Sequence, residues 1–478
     1  MNFKYLTLGA VFVLHLLSSD TVSGQQTANQ EKISLNDLSA FKDPGKSWSV
    51  AGGVTANLNE KNLLTTRSGT GILVNLPTAN TKGVDLLTTS SYGDLVLELD
   101  YMMAKGSNSG IYLEGIYEVQ LEDSWGVKNP GSSNNGGVYE RWNNSKPEGE
   151  QGYEGYAPRQ NVSKAPGLWQ HIKIAFQAPR FDASGTKTAN ARFIRVELNG
   201  VMIHENVELS GPTRGANGPE KATGALRLQG DHGAVAFRNI TVSPLPASNG
   251  LNTQQRAEND ADPIYIDVAS TPNIRSFIDI AGGKKVVHAI SVGSTQQVHY
   301  SYDLDNGALF QAWHGEFIDA TPMWHDRGNG TSYPRGSQVI FMKSPRPVLA
   351  RLTGDQAPWP TDTSGSGFVP KGYILDAADR PVFTYRIFNT RVEDAIKVVD
   401  NGHGFSREIT LKDPSEKIFA LVANATSIDK VSEGLYVADD QSYYIQFPDN
   451  VKPVIREVNG KKELIVPVIG KLTYSILF

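Results

Sequence analysis

The sequence predicts an all-β protein, an antiparallel sandwich or barrel followed by a second, mainly-β domain. Three observations lead there. Short segments of alternating apolar and polar residues recur along the chain, each closed by Gly, Asn, Asp or Pro. The 478 residues include 46 Gly and 25 Pro, a turn-rich composition. No amphipathic helical stretch separates the alternating segments, as a parallel α/β arrangement would require. The length suits about two or three domains, each able to bury a full core.

The first 24 residues read as a secretory signal peptide. Lys4 precedes the apolar run Tyr5 to Leu17, and the small polar stretch Ser18 to Gly24 follows, the order of n-, h- and c-regions. The run is shorter than the ~20 residues a bilayer span needs. Without cysteine a lipoprotein anchor is excluded, so the expected location is secreted or periplasmic, with no membrane span. A first domain over 30–246 then alternates in Asp94-Leu-Val-Leu-Glu-Leu-Asp-Tyr101, Gly110-Ile-Tyr-Leu-Glu114, Tyr117-Glu-Val-Gln-Leu-Glu122, His171-Ile-Lys-Ile-Ala-Phe176 and Phe193-Ile-Arg-Val-Glu-Leu198. Asn199-Gly200 turns the chain into Val201-Met-Ile-His204, a strong hairpin signal. Ala225 to Gln229 and Val235 to Val242 complete the series. A polar, unpatterned linker is expected over 247–262. The second domain, 263–478, resumes with strand-like pieces at Ile264–Val268, Val286–Val292, Val298–Tyr302, Gln338–Met342, Val382–Ile387 and Leu464–Val468.

Composition excludes several kinds of chemistry. Zero cysteines remove disulfides, thiolate zinc sites, iron–sulfur clusters and a cysteine nucleophile. Lys+Arg 45 against Asp+Glu 50 gives a net charge of −5, without the clustered basic footprint of a nucleic-acid partner. Four histidines of the second domain, His288, His299, His314 and His325, suggest a metal, but their spacing matches no compact ligand motif.

The densest polar cluster lies between Asn108 and Arg141. Because strand side chains alternate, Glu118, Gln120 and Glu122 share one face while Val119 and Leu121 face a core. Carboxylates and amides above aromatic residues suit a hydroxyl-rich ligand, and Tyr112, Tyr117, Trp125, Tyr139 and Trp142 are close by in sequence. The same alternation equally describes a solvated outer face. Asp231-His232 sits in a Gly-flanked turn, where a histidine can reach a ligand at a sheet edge or merely cap the turn.

Six motifs occur in order: Asn108-Ser-Gly-Ile-Tyr-Leu113, Tyr117-Glu-Val-Gln-Leu-Glu-Asp-Ser124, Gly136-Gly-Val-Tyr139, Ala165-Pro-Gly-Leu-Trp169, Leu198-Asn-Gly-Val201, and Leu228-Gln-Gly-Asp-His-Gly233 with Val235-Ala-Phe-Arg-Asn-Ile240. Over about Ile33 to Pro244 the chain closely resembles the 3-keto-disaccharide hydrolase domain. It departs from that family at Glu114, where Arg is common, and at Gly167-Leu-Trp-Gln170, where Gly-Glu-Trp-Asn is usual. The resemblance implies a concanavalin- or laminarinase-like jelly roll that cleaves 3-keto glycosides. Glu118 and Asp123 are its leading base and acid, joined by His232. Asn108, Tyr112, Glu114, Gln120, Tyr139, Trp142 and Gln229 are its substrate-binding candidates, Tyr139 being also a weaker proton donor.

The chemistry has its own logic. A ketone at C3 acidifies the proton on C2, so a base can remove it while an acid protonates the departing C1 oxygen. Water addition at C1 then completes a net hydrolysis. No cofactor is required, and a structural calcium ion stays open. Direct two-carboxylate hydrolysis is the competing mechanism, although Gln120 stands where an alternating acidic strand would carry a third acid. A non-catalytic carbohydrate-binding protein is the competing class. In the second domain, Trp313-His-Gly-Glu-Phe-Ile-Asp319 weakly resembles a region of exported sugar-dehydrogenase-like proteins, which makes a sugar oxidoreductase of the same pathway a candidate partner.

Overall fold

The structure is a computed structural model that describes residues 30–246, 262–325, 330–414 and 416–478. The leader over 1–24 and the linker residues 247–261 lie outside the described residues. Among the described residues no helix is long and apolar enough to cross a membrane.

Two antiparallel sheets account for most of residues 31–244. One has five strands, in the order Phe41–Lys42, Leu86–Tyr92, Gly224–Leu228, Asn108–Leu113 and Tyr117–Glu122. The other has eight, with Leu95–Met103 between Gln170–Gln177 and Val235–Pro244 at its centre. Alternation explains how they face each other. Leu97, Leu99 and Tyr101 of one sheet and Ile111, Val119, Leu121 and Leu228 of the other all lie in one shared buried cluster. The alternate residues of the central strand point outward, where Glu98 pairs with Lys173 at 2.6 Å and Asp100 with Arg238 at 3.2 Å. Asn199 and Gly200 take φ of 52° and 80° between the paired residues Leu198 and Val201, the two-residue turn their sequence predicts. The first half is thus a jelly-roll sandwich.

Residues 265–477 form three further sheets. Ala308–Asp319 pairs with both Val298–Asp303 and Thr331–Ile340, and the latter pairs in parallel with Asn273–Asp279, so the strands close into a ring. The remaining strands build an eight-stranded and a four-stranded sheet. At the centre Arg407 grips Asp394 with two hydrogen bonds, at 3.0 and 2.6 Å, while Tyr302 donates to the same carboxylate at 2.8 Å. Both charges are buried and fully partnered, a structural ion pair.

The four histidines do not converge. His288 pairs with Asp305, the His299 ring meets the Gly315 carbonyl at 2.9 Å, and the His314 ring meets the Phe478 carbonyl at 3.1 Å. Burial depresses the pKa of His299 to about 4 and that of His314 to about 3. Among the described residues no group of three or more His, Cys, Asp or Glu could hold a metal ion.

The halves meet through the segment Ala165–Leu168, whose Ala165 and Leu168 belong to the core cluster of the second half. Tyr444 donates to the Pro166 carbonyl at 2.9 Å, Gln441 to the Val54 carbonyl at 2.7 Å, and Arg238 to Asp440 at 2.7 Å.

Candidate functional site

The strand order of the five-stranded sheet sets three side chains in one row. Arg227 is registered opposite Tyr112, and Tyr112 opposite Glu118. The next row holds Gly110 opposite Gln120, with the Gln229 amide bonded to the Gly110 carbonyl at 2.9 Å. These side chains lie on the face of the sheet turned away from the core.

Glu118 is the centre of the arrangement and is only 1% exposed. Its carboxyl occupies space that Gly110 leaves open, since a Cβ at Gly110 would come within 2.1 Å of Glu118 Oε1. In the amide orientation that satisfies all its neighbours, Gln120 donates to Glu118 Oε1 at 3.0 Å and to the Ser109 carbonyl at 3.1 Å, and accepts from Asn108 at 2.9 Å. The Tyr112 hydroxyl also bonds the carboxyl, while Glu118 Oε2 has no partner. Burial pushes the Glu118 pKa up to about 8, against the opposing pull of Tyr112 and Arg227 and with the help of Asp85 and Asp231.

Five residues that the sequence did not single out complete the surroundings. Arg227 is buried, with its guanidinium 3.6 Å from the Tyr112 ring centroid and bonded to Asp85 at 3.3 Å and to the Gly215 carbonyl at 2.9 Å. Thr213 accepts from the Glu118 backbone at 3.1 Å. Arg214 lies 3.7 Å over the Trp142 ring. Thr213, Arg214 and Gly215 belong to the connection from Val201–Leu209 to Gly224–Leu228, which thereby covers the row. Only the alternation Leu226-Arg227-Leu228 hinted at Arg227, a charge between two core leucines.

The predicted residues fall into two groups. Asn108, Tyr112, Gln120 and Gln229 gather with Glu118. Tyr139 adjoins them, donating its backbone amide to the Glu118 carbonyl at 3.1 Å, and its hydroxyl is bonded to Arg214. Trp142 is reached through Arg214. His232 is exposed and bonded to Asp231 at 2.5 Å, in the turn whose Asp231 charge reaches Glu118.

Asp123 and Glu114 are elsewhere. Asp123 follows the end of its strand, accepts from the Gly106 amide at 2.8 Å and faces Lys105 and His403. Glu114 sits in the hairpin turn with φ of 54°, its pKa raised to about 8 by burial and by Asp94 and Glu220. The charge reversal relative to the family pattern therefore lies at the Asp94–Glu220 end of the sheet, not in the Glu118 row. Glu122 is tied to Asn134 at 2.7 Å and Ser124 at 3.1 Å.

None of the curated proteins compared matches the chain. Two solved structures from Parabacteroides distasonis, provisionally named glycosyl hydrolases, share 24% and 19% identity. The first covers 45% of this chain and 84% of its own, with a TM-score of 0.32. The second covers 45% and 100%, with a TM-score of 0.31. A prokaryotic β-1,3-1,4-glucanase (lichenase) from a mouse hindgut metagenome shares 14% identity over 46% of this chain and 100% of its own, with a TM-score of 0.24. Residues 34–243 match the family described as the 3-keto-alpha-glucoside-1,2-lyase-like domain.

Proposed function

We propose that the first half of the chain cleaves 3-keto glycosides by elimination and hydration. The observation that carries this reading is a single glutamate, Glu118, sealed into a polar face beside Arg227, Tyr112 and Gln120, with its proton affinity raised by burial. Such a carboxylate, once ionised, is a strong base for the C2 proton of a 3-keto sugar. The electron pair of the C2–H bond passes to the ketone oxygen, and the positive and hydrogen-bonding groups beside Glu118 favour the enolate. As the C1–O bond breaks, His232, held by Asp231, gives the leaving oxygen its proton. Water then adds at C1 and a proton returns to C2, so the sum is hydrolysis. Tyr139 is the second donor candidate. Asp123 has no part in this scheme, because its contacts lie with Gly106, Lys105 and His403.

Direct hydrolysis by two carboxylates finds less support, since Glu122 is bonded to Asn134 and Ser124. Turnover of a 3-keto disaccharide in D2O separates the readings. The expected product carries deuterium at C2, and Glu118→Gln lowers the rate by about a thousandfold or more. A product without deuterium at C2 would establish direct hydrolysis. No turnover of any keto glycoside, with saturable binding to plain glycans, would make the domain a binding module.

A further inference from the structure

A cavity of about 330 Å³ lies where the two halves meet, away from the Glu118 row. This is the small end of the ~300–1,000 Å³ range of ligand pockets, and junctions of this kind are common places for them. Asn59, Lys105, Asp123 and Trp125 line it from the first half, and Ser432 and Gln446 from the second. From this cavity we infer a second binding site, for a neutral, hydroxylated ring of monosaccharide size.

Its walls are fixed before any ligand arrives. The Trp125 indole donates to the Phe478 carbonyl at 2.7 Å and stacks on the His403 ring with centroids 3.8 Å apart. Gly126 makes that stack possible: its φ is +78°, and a Cβ there would stand 2.7 Å from the His403 ring. Asp123 is anchored by the Gly106 amide at 2.8 Å. Pro166, another wall residue, is held by the Tyr444 hydroxyl at 2.9 Å.

The chemistry of the lining selects the ligand class. Two carboxamides, a hydroxyl, two carboxylates and an ammonium offer both donors and acceptors to hydroxyl groups. Leu58, Leu435 and Leu477 supply apolar wall for the C–H faces of a ring. The charges are already matched, Asp123 by Lys105 and Glu433 by Lys430 at 2.7 Å. A phosphate or carboxylate on the ligand would upset that balance, so a neutral sugar fits better than an anionic one. The site is separate from the proposed elimination and does not depend on it.

Calorimetric titration of the full chain with glucose and with glucose 6-phosphate tests the inference. Glucose is expected to bind, with the phosphate ester at least tenfold weaker. Gln446→Leu, and Ser432→Trp as a cavity filler, each weaken glucose at least tenfold, whereas Glu118→Gln leaves its affinity unchanged. Unaltered melting temperatures of the two cavity variants show that they remain folded. If glucose binds both cavity variants as tightly as the parent, if Glu118→Gln abolishes binding, or if no binding occurs at millimolar glucose, the second site is refuted.

Discussion

Glu118 holds a proton at neutral pH that an exposed glutamate would have lost. With its pKa pushed up to about 8, the ionised form is a minority at pH 7, and a base that must be ionised gains activity as the pH rises. The expected kcat/KM therefore climbs as the pH rises towards 8, and it is lost as the pH falls below that value. Arg227 opposes the shift, because its positive charge favours the carboxylate. Arg227→Met should move the acidic limb of the profile upward, while leaving Asp85 with only the Gly230 amide, at a cost of about 1–3 kcal/mol. A pH–rate profile of the two proteins on one substrate checks both the sign and the shift. An acidic limb near pH 4.5 in the parent would mean that Glu118 is not the titrating base.

At the scale of elements, the hairpin Asn108–Leu113 and Tyr117–Glu122 shows how a strand makes room for chemistry. Gly110 stands opposite Gln120, and the absence of its side chain is what admits the Glu118 carboxyl. Gly110→Ala should keep the sandwich folded, lose about 1–3 kcal/mol by crowding, and reduce turnover at least a hundredfold with a smaller change in KM. Thermal melting together with steady-state kinetics tests this, and full activity of the variant would show that Glu118 need not occupy that space. The alternation of Tyr117–Glu122 was legible in the sequence, and so was the Asn199-Gly200 turn, because each rests on local geometry. Arg227 was not, since its approach to Tyr112 depends on strand order across more than a hundred residues. Asp123 illustrates the same limit: its neighbours in sequence join Glu118, but the strand ends at Glu122 and the next carboxylate bonds back to Gly106. Ala308–Asp319 was hidden for a different reason. Nearly every residue of that strand is buried, so no alternation marks it.

At the scale of the whole molecule, the departure of Gly167-Leu168-Trp169-Gln170 from the family pattern has a physical cause. Leu168 is fully buried in the cluster that also holds Tyr300, Phe405 and Tyr444 of the second half. A glutamate at that position would be a carboxylate in an apolar core without a partner. The sequence difference is thus matched to the presence of a second half, which explains why the two are joined here by more than a linker. Gly167 fits the same joint: with φ of +80°, a Cβ would meet the Tyr444 hydroxyl at 2.2 Å. Leu168→Ala should cost about 2–5 kcal/mol through the cavity it leaves, and Leu168→Glu more. Because the loss falls where a segment of the first half enters the core cluster of the second, calorimetry of Leu168→Glu should resolve two unfolding transitions where the parent shows one. The Glu118 row, built from residues of the first half, should keep its turnover at temperatures below the first transition. A single, unshifted transition in Leu168→Glu would show that the contact around Leu168 does not couple the halves, and that their union rests on the polar contacts of Arg238, Gln441 and Trp125 instead.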